Sequence, residues 1–204
     1  ITIPGQVIRQ IEAGDQMSCA LTLADRAYCW GKGEGFLLGR GEVEEDSETP
    51  TPVAGGDQFA SLALGEGYVC GVRRNDNALY CWGENVAGRM AQASQTRFPQ
   101  PARAVGNVTF ERVAVGRDMS CGIARDGALT CWGYWADGAL GDGRLGYVSA
   151  PHEVAAVWAS SPPGVALGGA HTGVGDDERA LHAGAFAFGG QQAHDAGVDV
   201  DLGQ

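Results

Sequence analysis

Ala13-Gly14-Asp15-Gln16-Met17-Ser18-Cys19 opens a stretch that closes, ten residues past its cysteine, on Cys29-Trp30-Gly31. The frame returns as Leu64-Gly65-Glu66-Gly67-Tyr68-Val69-Cys70 with Cys81-Trp82-Gly83, and as Val115-Gly116-Arg117-Asp118-Met119-Ser120-Cys121 with Cys131-Trp132-Gly133. A fourth copy, Leu167-Gly168-Gly169-Ala170-His171-Thr172-Gly173, keeps the glycine and lacks both cysteines, and Ala187-Phe188-Gly189 stands where Cys-Trp-Gly would. The period is about fifty residues. Each copy reads as short strands: Gln58 to Leu64, Tyr68 to Val72, a turn at Asn75-Asp76, then Ala78 to Trp82. A Gly-rich loop follows and ends in an extended Pro-containing segment, marked by Pro50 and Pro52, Pro99 and Pro101, and Pro151. Three or four short strands per repeat, with no helical periodicity, predict an all-β propeller and exclude a helical solenoid. The expected organisation is one propeller segment over 1–204, with four blade repeats at about 1–53, 54–102, 103–152 and 153–204, the last degenerate as a terminal repeat is.

The cysteines are symmetric about their turns. Cys19 and Cys29 centre on Ala24, Cys70 and Cys81 on the Asn75-Asp76 junction, Cys121 and Cys131 on Asp126. Residues opposed across an antiparallel pair lie within disulfide reach, so the expected bridges are Cys19–Cys29, Cys70–Cys81 and Cys121–Cys131. Each closes a short loop, worth about 2–3 kcal/mol in the chain-entropy model. Zinc is the competing reading, but its close cysteine pairs are absent. Three disulfides imply an oxidising, extracytoplasmic compartment: periplasm, cell surface or medium.

Composition agrees with a turn-rich β protein. Glycine supplies 33 of 204 residues, about twice its usual share. The formal net charge is −11, Lys32 is the only lysine, and the nearest approach to a basic cluster is Arg73-Arg74. Phosphate-tracking surfaces need clustered cations, so nucleic-acid binding is not expected. No apolar run reaches the length of a membrane-spanning helix, and no membrane insertion is expected. The chain opens at Ile1 rather than Met, which suggests a processed N-terminus or a fragment.

With the glycine, the cysteine pair, the Trp-Gly and the loop Asp137 to Gly143 in hand, the chain resembles the regulator of chromosome condensation repeat family, and within it the bacterial secreted members with paired cysteines. The resemblance implies a seven-bladed ring, of which four repeats would be part, completed by a missing segment or another chain. The family's eukaryotic founder is a nucleotide exchange factor that docks on chromatin; the acidic balance and disulfides here oppose that role. A bacterial relative of this type clamps β-lactamases with loops on one face. The implied function is a non-catalytic interaction module that binds a partner protein through loops on one propeller face. A structural accessory subunit of a larger assembly is the alternative, and a metal-dependent enzyme the second.

Candidate residues follow. Trp30, Trp82 and Trp132 recur at one point and are expected to pack blades, with Gly31, Gly83 and Gly133 turning the chain after them. Tyr134 and Trp135 do not recur and suit a contact site; local core cover is the alternative for Trp135. Glu44, Glu45 and Asp46, in the acidic loop Glu42 to Glu48, would face a basic partner or simply solvent. The loop lacks the pattern of a calcium site. His171, His182 and His194, with Asp176 and Asp177 nearby, are the weak candidates for a metal. No cofactor is expected. Gly141 to Gly146 matches a Gly-x-Gly-x-x-Gly spacing without the strand and helix a nucleotide site needs. Asn107-Val108-Thr109 is a glycosylation sequon.

Overall fold

In each of the first three repeats the glycine–cysteine frame folds as a tight hairpin with a strand on either side. The computed structural model describes residues 1–92, 95–104, 106–135, 146–155, 164–167 and 172–175. Strands β1 (Ile8–Ala13), β2 (Met17–Thr22), β3 (Ala27–Gly31) and β4 (Ser47–Pro52) form one sheet in that order. Strands β5 (Phe59–Leu64), β6 (Tyr68–Arg73), β7 (Leu79–Glu84) and β8 (Arg97–Arg103) form the second. Strands β9 (Phe110–Val115), β10 (Met119–Ala124), β11 (Leu129–Trp135) and β12 (Gly146–Ala155) form the third. All three are antiparallel meanders, as propeller blades are. The prolines lie on β4, β8 and β12, the outermost strands, where a missing N–H breaks no internal ladder.

In the fourth repeat the described residues form one hairpin, β13 (Gly164–Leu167) and β14 (Thr172–Gly175). Its pairing of Leu167 with Thr172 repeats that of Ala13 with Ser18, Leu64 with Val69 and Val115 with Ser120. The degenerate sequence therefore keeps the register of the inner two strands. β13 lies against β9 and β10.

The hairpin turns explain the cysteine spacing. Thr22 pairs with Arg26 and Ala124 with Ala128 around three-residue loops, with Asp25 and Gly127 at positive φ. In the second blade Arg73 pairs with Ala78 around four residues, with Asn77 at positive φ. That extra residue makes the separation in the second blade 11 rather than 10. Hydrogen bonds from Lys32 N–H to the Gln16 carbonyl and from Thr22 N–H to the Arg26 carbonyl fix which pairs are bonded, and leave Cys19 opposite Cys29 as a non-hydrogen-bonded pair. Such pairs approach most closely. All three disulfides form, with Cα atoms 4.1 Å apart, and no described cysteine is free.

Blades meet face to face through the tryptophans. The outer strand slips its register between Cys29 and Gly31, Cys81 and Gly83, and Cys131 and Gly133, so the tryptophan between each pair has no partner on that outer strand. Trp82 is fully buried, and its Nε1 donates to the Leu37 carbonyl of the first blade at 3.0 Å. Trp132 does the same to the Arg89 carbonyl of the second blade at 2.9 Å. Each stacks obliquely on a phenylalanine of its own innermost strand, Phe59 or Phe110.

The first blade differs. Ile11, Leu62 and Val113 hold equivalent places on β1, β5 and β9, on the same sheet face as the tryptophans. Leu62 and Val113 are 4% and 9% exposed, whereas Ile11 is 58% exposed and Trp30 only half-buried. No described residue covers this face of the first blade as Leu37 covers Trp82.

Gly83 shows how tight the frame is. It has φ +101°, and a Cβ there would lie 2.7 Å from the Gly67 carbonyl oxygen. Gly83→Ala is expected to lower stability by about 2–3 kcal/mol, combining left-handed strain with the collision. A shift of the urea midpoint at unchanged m-value measures it; a shift too small to resolve would contradict the assigned backbone.

Candidate functional site

Because the four strands alternate in direction, each blade has two distinct ends. One carries the short hairpin tips at 23–25, 74–77 and 125–127. The other carries the 14–16, 65–67 and 116–118 turns together with the long connections at 32–46 and 85–96. The frame is constant and the sequence diverges at this loop end, so contact chemistry is sought there.

One row of residues stands out. Lys32, Glu84 and Tyr134 each follow Trp-Gly, and each donates its backbone N–H to the carbonyl of the facing turn: Gln16 at 3.0 Å, Gly67 at 2.8 Å and Asp118 at 2.9 Å. The backbone is fixed identically three times while the side chain changes from cation to anion to phenol. Tyr134 is 46% exposed, as a contact residue needs. Trp135 ends β11 opposite Gly146, but its side chain lies outside the described residues.

The acidic loop is partly self-directed. Gly33 N–H donates to Asp46 Oδ1 at 2.9 Å and Gly35 N–H to Glu44 Oε1 at 3.0 Å, while Arg40 donates to the Glu45 carbonyl. A glycine-rich loop leaves N–H groups without ladder partners, and the nearest carboxylates accept them. All three acidic residues remain exposed. Arg97 lies 3.1 Å from Glu84 and 3.7 Å from Glu44, linking the loops of the first two blades.

Between these blades the loop end opens a cleft of ≈ 220 Å³. Met17 and Leu37 supply its apolar lining, and Asp15, Glu34, Glu66 and Glu84 surround a single cation, Lys32. Lys32 and Glu34 pair at 2.8 Å. Their hydrogen bond raises the lysine pKa and lowers that of the glutamate, so each holds the other charged.

Beneath the next seam lies a residue that sequence reading did not single out. Arg89 takes the place Leu37 holds in the first blade, and it is buried. Its guanidinium donates to the Glu84 and Arg117 carbonyls and sits 4.7 Å above the Tyr68 ring. Burial lowers its pKa, and the negative charge of Asp118 works against that. Tyr68 in turn donates to the Met119 carbonyl at 2.8 Å; desolvation drives its phenol pKa upward. This cluster joins the second and third blades.

At the opposite end, Arg9, Arg73 and Arg74 mark the hairpins and are engaged within the fold. Arg9 and Arg74 both reach Asp25, and Arg73 reaches Asp76 at 2.6 Å and Asp57 at 3.3 Å. The Arg73 hydrogen bond holds the Asp76 carboxyl down from its ordinary 3.8 to about 2. The folded carboxylate thus ionises at lower pH than the unfolded one. Its contribution to stability is complete above roughly pH 4 and disappears as the pH falls through about 2. Asp76→Asn is expected to flatten that part of the stability–pH curve measured by urea unfolding; an unchanged acid slope would contradict the pairing.

Among the described residues, no group of three or more His, Cys, Asp and Glu side chains is placed to hold a metal. His171, His182 and His194 lie outside the described residues, as do Asp176, Asp177 and Gly141. No helix among the described residues is long and apolar enough to cross a membrane.

The family model for the regulator of chromosome condensation (RCC1) repeat matches residues 8–34, which hold the first glycine–cysteine–tryptophan frame. The Arabidopsis thaliana ultraviolet-B receptor UVR8 is 27% identical over 176 residues, 84% of this chain and 40% of its own length. Residues 8–34 thus carry the regulator of chromosome condensation repeat. The human E3 ubiquitin-protein ligase HERC2 is 26% identical over 82% of this chain, a stretch that is 4% of HERC2. The yeast RCC1 structure (Prp20), solved bound to Kap60, superposes with a TM-score of 0.71 at 20% identity, over 85% of this chain and 44% of that one. At that identity the likeness establishes the fold. The chain spans less than half the length of these regulator of chromosome condensation repeat proteins.

Proposed function

We propose that the chain is a non-catalytic, extracytoplasmic protein-interaction module that engages its partner through the loop end of the blades. The observation that carries this reading is the row Lys32, Glu84 and Tyr134: one backbone geometry, three unlike side chains, on a frame tied by disulfides and buried tryptophans. Rigid scaffolds that vary only at their loops serve recognition. Yeast RCC1 (Prp20), to which the chain is similar in fold, was solved bound to Kap60. The three buried disulfides support an oxidising compartment.

Co-purification from the native source tests the reading. A partner retained by the wild-type chain and lost when residues 42–48 are replaced by a Gly/Ser linker is expected. A chain that fractionates alone throughout argues against it.

A second reading is favoured by one observation, the face bearing Ile11 and Trp30, which no described residue covers. On it, the chain is a structural part of a larger ring, seven-bladed as in the family, with another blade seated on that face. Intact mass and sedimentation of the native protein discriminate: a mature monomer of these residues alone removes the second reading.

A further inference from the structure

The loop end shows more than a place of contact; its chemistry indicates what kind of surface it fits. Three separate observations converge. The first is the seam cleft, which is concave, has Met17 and Leu37 beneath it, and is large enough to admit a side chain. The second is the row of three positions whose backbones are pinned to the facing turns. A backbone already fixed at these positions needs no ordering on binding, which lowers the cost of association. The third is the phenol of Tyr134, exposed at the row's third position, where the first two blades carry charges. An aromatic at the rim of a rigid frame is the residue type that dominates contact energies.

Charge then sets the sign of the partner. In the cleft four carboxylates stand around Lys32, and Glu34 already neutralises that lysine. Arg97 and Arg117 at the same end are themselves paired, Arg97 with Glu84 and Glu44, Arg117 with Glu66 and Asp118. Arg9, Arg73 and Arg74, at the hairpin end, are tied to Asp25, Asp57 and Asp76. Asp15 in the cleft and Glu42, Glu45, Asp46 and Glu48 of the acidic loop stand in none of these pairs, so an approaching surface meets net negative charge at the loop end; complementary charge steers encounter and rejects the wrong partner.

We propose that the partner presents a cationic protein segment, with an arginine or lysine entering the cleft between Asp15 and Glu84 and an apolar residue further along the segment resting on Tyr134. The proposal depends on the loop end being the contact face, and it adds the chemistry of what binds there.

The test uses the whole chain and two labelled peptides, one mixing arginine with leucine and one with glutamate in place of each arginine, followed by fluorescence anisotropy. Wild type is expected to bind the cationic peptide and not the acidic one, more weakly as salt rises. Glu84→Gln is expected to weaken binding about threefold, and Tyr134→Ala about tenfold. Asp126→Asn, at the opposite end, should leave it unchanged. Retention of all three disulfides by mass shows that the variants are folded. Equal binding of both peptides, binding of neither, or an equal loss with Asp126→Asn overturns the proposal. Should co-purification yield a partner while the peptides do not discriminate, the cationic assignment falls and the interaction reading stands. Should no partner co-purify, it is the interaction reading that falls.

Discussion

Trp82→Ala is expected to destabilise the protein by about 4 kcal/mol, and Trp30→Ala by about 1 kcal/mol, although both residues occupy the same Cys-Trp-Gly triplet. Truncating a large buried side chain removes its transfer free energy and leaves a cavity, together about 3–5 kcal/mol. At Trp82 the change also strips the Leu37 carbonyl of its indole donor, and an unsatisfied buried acceptor adds to the loss. Trp30 is half-buried, and among the described residues no preceding loop covers it. Urea unfolding followed by circular dichroism measures both. Equal losses would show that the tryptophan acts within its own blade, and would refute its role as the contact between blades.

Replacing Cys70 and Cys81 together with alanine is expected to cost about 3–4 kcal/mol. The entropic constraint on the unfolded chain supplies about 2–3 kcal/mol, and the two small voids in a fully buried site supply the remainder. A companion result concerns access. All six cysteines are at most 1% exposed, so a mild reductant should not reduce the native bridges, and alkylation should appear only at the rate of unfolding. Rapid reduction of the folded chain at neutral pH, with far-UV signal intact, would contradict the burial.

Much of this architecture was legible in the sequence for a physical reason. A strand pair has period two and a turn at its centre, so the midpoint between two cysteines predicts their opposition without knowledge of the third dimension. The same arithmetic held for 10- and 11-residue separations. The Pro-containing segments were legible as extended chain, and the sheet order makes them the outer strands, where proline is tolerated. The tryptophans were legible as packing residues from their recurrence.

What escaped reading depends on neighbours that lie far apart in sequence. Trp30 and Trp82 look identical along the chain; the blade that comes before sets them apart. Arg89 reads as an ordinary loop cation, and its burial follows only once the Leu37 position is seen to be the one that meets the next blade. Its signal was available, since Phe36-Leu37-Leu38-Gly39 and Gly88-Arg89-Met90-Ala91 are equivalent, with Gly39 and Ala91 both at positive φ. Glu44 and Asp46 were read for their charge, whereas the backbone N–H groups of Gly33 and Gly35 give each a role within its own loop. The acidic cleft lies between two blades and belongs to neither repeat, so no single copy of the motif announces it.

The placement of the disulfides has a further consequence, for assembly and for descent. Every bridge joins cysteines 10 or 11 residues apart, inside one hairpin and never across a seam. A chain threading into an oxidising compartment can therefore lock each hairpin as it emerges, before the next pair of cysteines arrives. The correct partner is always the one already present, so a shuffling step has nothing to repair. The same closure makes each repeat a self-sufficient cassette. Duplicating or deleting a whole repeat leaves no thiol unpaired, so the number of blades can change between descendants without disturbing the crosslinks of the rest.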